Sequence, residues 1–264
     1  MNKTKIDWAD RTWNPVTGCF HNCPYCYAAR IAHRYGLHFA PTLGDPGTEG
    51  ACKYDTREGG ENSMLELQKP YNHNPYPMGF APTFHRYRLE EPLFAKKPQN
   101  IFVCSMADLF GEWVPDEWIE AVFEACEKAP QHRYLFLTKN PKRYIEILKK
   151  YPIIKHWLGT TIVDEHTEYF YSDRNNAFLS IEPIQSSFTC SSHNRDGIKW
   201  VIVGAETGNR KGKIIPKRGW IENIVNNCLE QNVPVFMKDS LKEIWGEQLI
   251  QEYPLQMTKS KCYS

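Results

Sequence analysis

Short apolar runs alternate with segments of helical periodicity along most of the second half of the chain. Strands are predicted at residues 100–106, 134–138, 157–163, 177–181, 199–205 and 233–237, with an earlier strand at about 12–16. Helices are predicted at about 116–129, 141–150 and 220–231. Strands that are apolar at nearly every position are typical of a parallel sheet covered by helices. The pattern therefore predicts the α/β class, and a partial TIM-like (β/α) barrel of mostly parallel strands fits it best.

Residues 36–85 interrupt this rhythm. The segment holds seven glycines and six prolines among fifty residues, together with several aromatic side chains. A stretch of this composition cannot form one regular element, and long insertions of this kind are often lids over functional sites. We therefore expect a single domain over residues 1–264, with a lid-like Gly/Pro/aromatic-rich insertion at about 36–85.

Composition excludes some classes of function. The chain has no apolar run of roughly eighteen residues, so no membrane-spanning segment is expected. Its net charge of +1 gives no general attraction to nucleic acids or membrane surfaces, so any polyanion binding has to be local. The nine cysteines are odd in number and follow no apolar leader typical of secretion. These features argue against a disulfide framework and favour the reducing cytoplasm.

The most informative motif runs from Gly18 to Tyr27, where Cys19, Cys23 and Cys26 follow the spacing Cys-x3-Cys-x2-Cys. Three soft thiolates on one loop favour zinc, copper(I) or an iron–sulfur cluster over hard cations. Iron–sulfur clusters generally take one cysteine per iron. Three cysteines would leave one iron of a cubane open to a small chelating molecule, which favours catalysis over a structural role.

This motif, with the aromatic Tyr25 just before its last cysteine, resembles the cluster loop of the radical S-adenosylmethionine enzymes. The resemblance implies that Cys19, Cys23 and Cys26 bind a [4Fe-4S] cluster whose fourth iron is chelated by S-adenosylmethionine. It implies that one electron cleaves this cofactor to a 5′-deoxyadenosyl radical, which abstracts a hydrogen atom from a substrate. It also implies that Tyr25 lies near the adenine, and the barrel-like fold of that superfamily agrees with the strand pattern.

A zinc-stabilised binding module without redox activity is the main alternative. His21, His33 or Cys52 would then supply the fourth ligand to the metal. Structural zinc sites usually pair two short ligand clusters, and no second Cys-x2-Cys or His-x3-His follows in this chain. Together with this observation, the resemblance to the radical S-adenosylmethionine enzymes favours the cluster.

Polar residues that follow the predicted strands are the next candidates, because barrel enzymes carry their chemistry at the carboxyl ends of strands. The superfamily often has a Gly-Gly-Glu-like segment after its second strand that binds the methionyl amine. This chain lacks that segment, and Ser105, Asp108 and nearby backbone carbonyls are expected to replace it. Asp108 as the cap of a helix is the alternative. Glu182 and Glu206 follow later strands and are predicted to accept hydrogen bonds from the ribose hydroxyls of the cofactor.

A basic loop at residues 208–218 carries five positive charges. They are Arg210, Lys211, Lys213, Lys217 and Arg218. The loop is either a solvated surface segment or a phosphate clamp for a nucleotide-containing substrate. The expected partners are therefore a small-molecule or nucleotide-containing substrate and an electron donor, with nucleic acid supported by this loop alone.

Over most of its length the chain also resembles a group of phage- and bacteria-encoded radical S-adenosylmethionine proteins of uncharacterised function. The segments that carry this resemblance are Trp13 to Cys19, Leu179 to Pro183 and Trp200 to Glu206. The segment from Ser105 to Phe110 resembles, more loosely, the spore photoproduct lyases, which act on thymine dimers in DNA. That local resemblance implies DNA-lesion repair as an alternative function.

Overall fold

The computed structural model describes residues 1–36, 52–55, 63–71, 74–151, 155–188 and 197–257, with the backbone alone at 52–55 and 63. The strands are β1 (Asn2–Lys3), β2 (Arg11–Trp13), β3 (Val16–Thr17), β4 (Cys52–Asp55), β5 (Ser63–Leu67), β6 (Thr83–His85), β7 (Asn100–Val103), β8 (Arg133–Thr138), β9 (Trp157–Ile162), β10 (Asn176–Ile181), β11 (Ile198–Val203) and β12 (Val235–Met237). The helices are α1 (Tyr27–Tyr35), α2 (Asp116–Lys128), α3 (Lys142–Lys150), α4 (Arg218–Glu230) and α5 (Lys242–Trp245). Short 3₁₀ turns lie at Arg86–Arg88, Glu91–Phe94, Asp239–Leu241 and Leu255–Met257.

Eight strands form one sheet in the order β1-β2-β7-β8-β9-β10-β11-β12. The pairs β2/β7, β8/β9, β9/β10, β10/β11 and β11/β12 are parallel, and only β1 is antiparallel to its neighbour β2. Every residue of β7 and nearly every residue of β10 is buried, as a parallel sheet requires. The predicted α/β class with a large, mostly parallel sheet is confirmed.

The sheet of the described residues is open, since no pairing joins β12 to β1 across its two edges. One crossover also departs from the expected alternation, because residues 163–175, between β9 and β10, form no helix. The finer prediction of a partial TIM-like barrel is therefore not decided by the strand pairings.

The first predicted strand differs most from the structure. In place of one strand at 12–16, β2 ends at Trp13 and β3 begins at Val16, and β3 pairs with β6 in a second sheet. Pro15 explains the break, because proline has no N–H to donate to a strand ladder. The second sheet has the order β3-β6-β5-β4 and takes three of its strands from the predicted insertion at 36–85.

Of that insertion, residues 37–51, 56–62 and 72–73 lie outside the described residues. The described parts are ordered around a small apolar cluster of Leu65, Leu67 and Tyr71, against which Met78 and Tyr87 pack. The lid-like role of the insertion stays a prediction.

The chain divides into two compact units. The first comprises residues 1–3 and 11–134, and the second comprises residues 4–10 and 135–264. In the first unit, α2 begins after Pro115, with Asp116 and Glu117 in its first turn and Lys128 in its last turn, as the helix dipole favours. Its buried Trp118 ring packs 5.1 Å from the ring of Phe84.

In the second unit, an aromatic core joins the N-terminal segment to the strands. The ring of Trp200 lies 6.2 Å from Trp8, 5.9 Å from Phe178 and 6.1 Å from Phe236. Burial of large aromatic side chains is among the strongest contributions to core stability. Across the described residues, none of the helices combines the length and the apolar character that a membrane crossing requires.

Candidate functional site

The approach to the cysteine loop is fixed by the side chain of Asn14, directly after β2. Its Oδ1 accepts hydrogen bonds from the Ser105 hydroxyl and from the Met106 amide, each at 3.1 Å. The turn after β7 is therefore tied to the end of β2, and Cys104 within it adopts a positive φ of 56°. This turn carries Ser105 and leads to Asp108, so two sequence-predicted residues are held against the segment that leads to the cysteines.

Gly18 is packed closely against the backbone of two other segments. Its amide donates to the Met106 carbonyl at 2.9 Å, and the amide of Cys19 donates to the Phe80 carbonyl at 2.9 Å. The φ of Gly18 is +87°, and a Cβ at this position would stand 2.2 Å from the Ala81 carbonyl oxygen. Only glycine satisfies both constraints, because it tolerates positive φ and has no Cβ.

The three cysteines follow at once and are all half-buried free thiols. The amide of Cys26 donates to the Cys23 carbonyl at 3.0 Å, and the Cys26 Sγ accepts from the Ala29 amide at 3.3 Å. Cys26 is thus the N-cap of α1, where the helix dipole favours a negative charge.

The pKa of the Cys19 thiol is raised to about 12, chiefly by burial and also by the charges of Asp108, Cys23 and Cys26, whereas the hydrogen bond from the His21 amide lowers it. The three thiols and the Asp108 carboxyl therefore share one electrostatic environment. Within the described residues, which include the whole of this loop, no group of three or more His, Cys, Asp or Glu side chains is arranged to hold a metal ion. The chemistry of the donors still fits an iron–sulfur cluster, because three soft thiols stand on one loop and a coordinating metal deprotonates thiols itself.

Asp108 is buried and contacts the cysteine loop directly. Its Oδ2 lies 2.7 Å from Nε2 of His21, and its Oδ1 accepts from the Phe110 amide at 3.0 Å. The predicted alternative, Asp108 as the cap of the following helix, does not fit, because α2 is capped by Pro115 and Asp108 closes a tight turn. The His21 ring also packs edge-on against Trp113 at 4.8 Å, so one side of the loop is covered.

Ser105 is contacted by Tyr27, which directly follows the last cysteine of the loop. The Tyr27 hydroxyl donates to the Ser105 carbonyl at 2.5 Å, so this carbonyl and that of Met106 already accept protein hydrogen bonds. Tyr25 lies between Cys23 and Cys26 and is half-buried. The structure therefore brings Tyr25, Ser105 and Asp108 together around the three cysteines within the first unit.

A buried hydrogen-bond chain supports the residue that precedes Gly18. The Thr17 hydroxyl donates to the Pro75 carbonyl at 3.2 Å and contacts Nε2 of His85 at 2.8 Å. Nδ1 of His85 lies 3.2 Å from the Tyr87 hydroxyl. His85 is fully buried, and this burial lowers its pKa to about 3, so its ring is neutral. The consistent assignment has Tyr87 donating to Nδ1 and Nε2–H donating to Thr17.

The remaining predicted residues lie in the second unit, at the carboxyl ends of its strands. Glu182 follows β10, and its Oε1 accepts from Lys238 Nζ at 2.5 Å after β12. The pair spans Gly204 at the end of β11, where a Cβ would stand 3.0 Å from the Lys238 chain and 3.1 Å from the Glu182 carboxylate. The absence of a side chain at Gly204 gives the ion pair its room.

Glu206 is almost wholly buried and is held by a bidentate pair with Arg210. The guanidinium donates from Nε to Oε1 at 2.7 Å and from NH2 to Oε2 at 2.8 Å. The bond to Glu206 raises the pKa of Arg210 further above its usual range. Glu206 therefore shapes the basic loop from within.

The basic loop is less cationic than its composition indicates. Arg210 is paired with Glu206, and Arg218 is paired with Glu222 and Glu247 at 2.8 and 2.6 Å. Lysines carry the rest of the positive charge of the loop. This pairing weakens the case for a strip of phosphate contacts along a nucleic acid, since such contacts need cations that are available to phosphates.

A cavity of about 360 Å³ lies at the carboxyl ends of β11 and β12. Its walls include Ala205 and Glu206 after β11, Asp239 and Ser240 after β12, and part of the basic loop. Open α/β sheets bind ligands in crevices at the carboxyl ends of strands, so this is the second candidate site of the chain.

Sequence reasoning missed the residues that hold the predicted ones in place. Asn14, Thr17 and His85 act through contacts with residues far along the chain, and no local pattern marks such partners. Two glycines did mark such contacts in the sequence. Gly18 directly precedes Cys19, and Gly204 lies two residues before Glu206. A glycine there indicates a close approach of other atoms.

Comparison with known proteins identifies the family. Residues 3–260 match the model of a family described as protein of unknown function, DUF5131. The chain belongs to this family. No curated protein and no solved structure matches the chain. The family description assigns no activity, so function has to be argued from the site.

Proposed function

We propose that this protein is a radical S-adenosylmethionine enzyme in which Cys19, Cys23 and Cys26 bind a [4Fe-4S] cluster. The observation that carries the proposal is the cysteine loop itself, three thiols on one loop whose backbone is fixed at both ends. In such enzymes the reduced cluster supplies the electron that cleaves S-adenosylmethionine, and the resulting radical abstracts a hydrogen atom from a substrate. The open, mostly parallel sheet supports the finer proposal of a partial barrel, because the strands from β7 to β12 follow one another in chain order.

The chain's own residues orient and shield this centre. Gly18 lets the loop pass against the backbone at Ala81, and Asn14 holds the turn of Ser105 against it. Asp108 fixes the ring of His21, which with Trp113 covers one side of the loop. The N-terminus of α1 stabilises negative charge on the Cys26 sulfur.

Five residues are proposed to contact S-adenosylmethionine. They are Tyr25, Ser105, Asp108, Glu182 and Glu206. Tyr25 is assigned to the adenine and the Ser105–Asp108 turn to the methionyl amine. Glu182 and Glu206 are assigned to ribose hydroxyls, through carboxylate oxygens that also accept from Lys238 and Arg210. Cations that neutralise both carboxylates allow them to sit beside a further polar ligand without mutual repulsion.

The proposed setting is the reducing cytoplasm, with an electron donor and a small-molecule or nucleotide-containing substrate. None of the six cysteines whose side chains the structure describes forms a disulfide, which supports a reducing compartment. The substrate is the part of the proposal on which the cysteine loop gives no information.

The test is anaerobic reconstitution with iron and sulfide, followed by iron analysis and electron paramagnetic resonance of the reduced protein. We expect about four irons per chain and a cluster signal that is lost in Cys19→Ala, Cys23→Ala and Cys26→Ala. Cys228→Ala, which removes a buried thiol of α4, is the matched control and should retain the cluster. The reduced protein should convert S-adenosylmethionine to 5′-deoxyadenosine.

Zinc binding is the outcome that would contradict the proposal. A protein that binds one zinc through four of its own ligands, and takes up no iron under reconstitution, is not a radical enzyme. Nε2 of His21 is bonded to Asp108, so Nδ1 is the atom through which His21 would supply that fourth ligand. Binding of a damaged DNA duplex at low salt, lost steeply as salt rises, would instead support the repair activity.

A further inference from the structure

We infer that the cavity at the carboxyl ends of β11 and β12 binds a nucleoside monophosphate as substrate. The assignment of the ligand as substrate rests on the proposed function, whereas the binding itself depends only on residues of the second unit. A volume of about 360 Å³ is at the small end of the range for ligand pockets. It suits one nucleotide rather than an enclosed strand or a dinucleotide.

Two lysines reach the cavity from different elements. Lys213 lies in the basic loop, and Lys242 begins α5. Lys213 donates one hydrogen bond to the Gly208 carbonyl at 2.9 Å, and an ammonium has three protons to donate. Neither lysine forms an ion pair with a carboxylate among the described residues, unlike Arg210 and Arg218 of the same region. Two such cations in the lining of one cavity are suited to one phosphate group.

The hydroxyl of Ser240 adds a neutral donor. Its oxygen accepts from the Ala205 amide at 3.0 Å, which fixes the hydroxyl in the lining of the cavity. No acceptor for the Ser240 proton occurs among the described residues, so this proton is available to a ligand. A hydroxyl donor and two ammonium groups in one cavity are a suitable combination for phosphate oxygens.

The other side chains match the rest of a nucleotide. Asp239 and Glu243 are exposed carboxylates on the wall, and carboxylates accept hydrogen bonds from ribose hydroxyls. Ile214 and Ile215 are 40% and 66% exposed and give the lining of the cavity an apolar part. A flat base against these aliphatic side chains would bury that apolar surface.

Glu206 keeps its own charge out of the phosphate site. Its bidentate pair with Arg210 neutralises the one deeply buried carboxylate of the wall. Without this pair, a buried negative charge would repel a phosphate. The basic loop is therefore divided in function, because its arginines pair with protein carboxylates and Lys213 faces the ligand.

Equilibrium binding to the full-length protein tests this inference. Isothermal titration calorimetry with each 5′-nucleoside monophosphate, without S-adenosylmethionine or reductant, should give saturable binding of one ligand per chain. Lys213→Gln and Lys242→Gln should each weaken binding about tenfold or more, because each removes a charge-assisted hydrogen bond. Lys211→Gln is the matched control, since this lysine of the same loop does not line the cavity, and should change affinity less than about twofold.

Three ligand comparisons separate the parts of the nucleotide. The nucleoside without phosphate and ribose 5-phosphate without a base should both bind more weakly than the monophosphate. S-adenosylmethionine carries no phosphate, so it should bind the cavity more weakly than the monophosphate does. Thermal unfolding of each variant shows that a lost affinity is not a lost fold.

Several results would overturn the inference. They are the absence of saturable binding for every monophosphate, binding that is insensitive to both lysine replacements, equal affinity for the nucleoside, and equal affinity for S-adenosylmethionine. The same titrations on Cys23→Ala separate the two proposals, because nucleotide binding should persist in this variant although it is expected to lack the cluster. If the wild-type chain binds the nucleotide but forms no cluster on reconstitution, the proposed function fails and the binding site stands. If the cluster forms and no nucleotide binds, the binding site fails alone.

Discussion

The cysteine loop and the strand ends of the second unit hold their polar side chains by different means. Around the cysteines, positions are fixed mainly by neutral contacts, such as the amide of Gly18 with Met106 and the hydroxyl of Thr17 with Pro75, and the contact of the Asp108 carboxylate with His21 is the exception. At the strand ends, Glu182 and Glu206 are each held by a cation. Neutral hydrogen bonds to the backbone respond little to salt, whereas charge pairs near the surface are screened. The shape of the cysteine loop is therefore fixed mainly by neutral hydrogen bonds, whereas the strand ends of the second unit depend on paired charges.

The largest effect is expected from breaking the fixed shape at Gly18. Gly18→Ala should destabilise the protein by about 3 kcal/mol or more, because it adds a backbone clash to an unfavourable positive φ. The measurement is the free energy of unfolding by denaturant titration.

Gly212→Ala is the matched control in the second unit. Its φ is +75°, but a Cβ there would meet no atom within 4 Å. We expect a cost of about 1 kcal/mol, from backbone conformation alone. Equal losses in the two variants would show that the close approach at Gly18 is not a constraint.

Acid should affect the buried histidine of the first unit next. His85 has a pKa near 3 in the folded protein, against about 6.5 when unfolded, so only the unfolded chain gains a proton in between. Stability should be unaffected by this group above about pH 6.5 and fall as pH drops toward 3. The loss is about 3 kcal/mol between pH 6.5 and pH 4.

His85→Gln removes this titration, so its stability deficit at pH 7 should shrink as the pH falls. His156 of the second unit, whose pKa burial lowers to about 4, should show the same trend over a narrower range. Denaturant unfolding at pH 7, 5.5 and 4 measures both. Parallel pH profiles for His85→Gln and the wild-type chain would disprove the assignment of a neutral buried ring.

A smaller effect is expected from the charge pairs of the second unit. A double-mutant cycle with Glu182→Gln and Lys238→Met should give a coupling free energy of about 1 kcal/mol, since both side chains are less than a third exposed. The pair Lys142–Glu168 joins the same residue types with both side chains more than 70% exposed. Its coupling should be below about 0.5 kcal/mol and vanish in high salt. Similar coupling in the two cycles would mean that burial adds nothing at the strand ends.

The smallest effect separates the two roles of Cys26. In the metal-free protein, Cys26→Ala should cost about 0.5 to 1 kcal/mol because it removes the N-cap of α1, whereas Cys26→Ser retains an acceptor and should cost less. Neither variant should assemble the proposed cluster. Thermal unfolding and iron content after reconstitution give the two readouts. Iron retention by Cys26→Ser would limit the role of this sulfur to capping.

The strands and helices of the sheet were predictable because their signals are local. The apolar runs of β8, β9 and β10 and the helical spacing in α2 and α3 differ from the prediction by only one or two residues at their ends. The break at Asn14 and Pro15 was missed, although proline marked it, because the apolar residues on both sides suggested one strand. No helix was predicted between the strands at 157–163 and 177–181, and the structure has none between β9 and β10.

The sequence by itself determined the class of fold and the three cysteines on one loop, since apolar runs and close spacing act over a few residues. Only the tertiary structure decided which distant side chains contact the predicted site residues and the segments that hold them. His85 reaches Thr17 across 68 positions, Ser105 reaches Asn14 across 91, and Lys238 reaches Glu182 across 56. Hydrogen bonds and ion pairs depend on the distance and direction between two atoms, and these are set only when distant segments pack together.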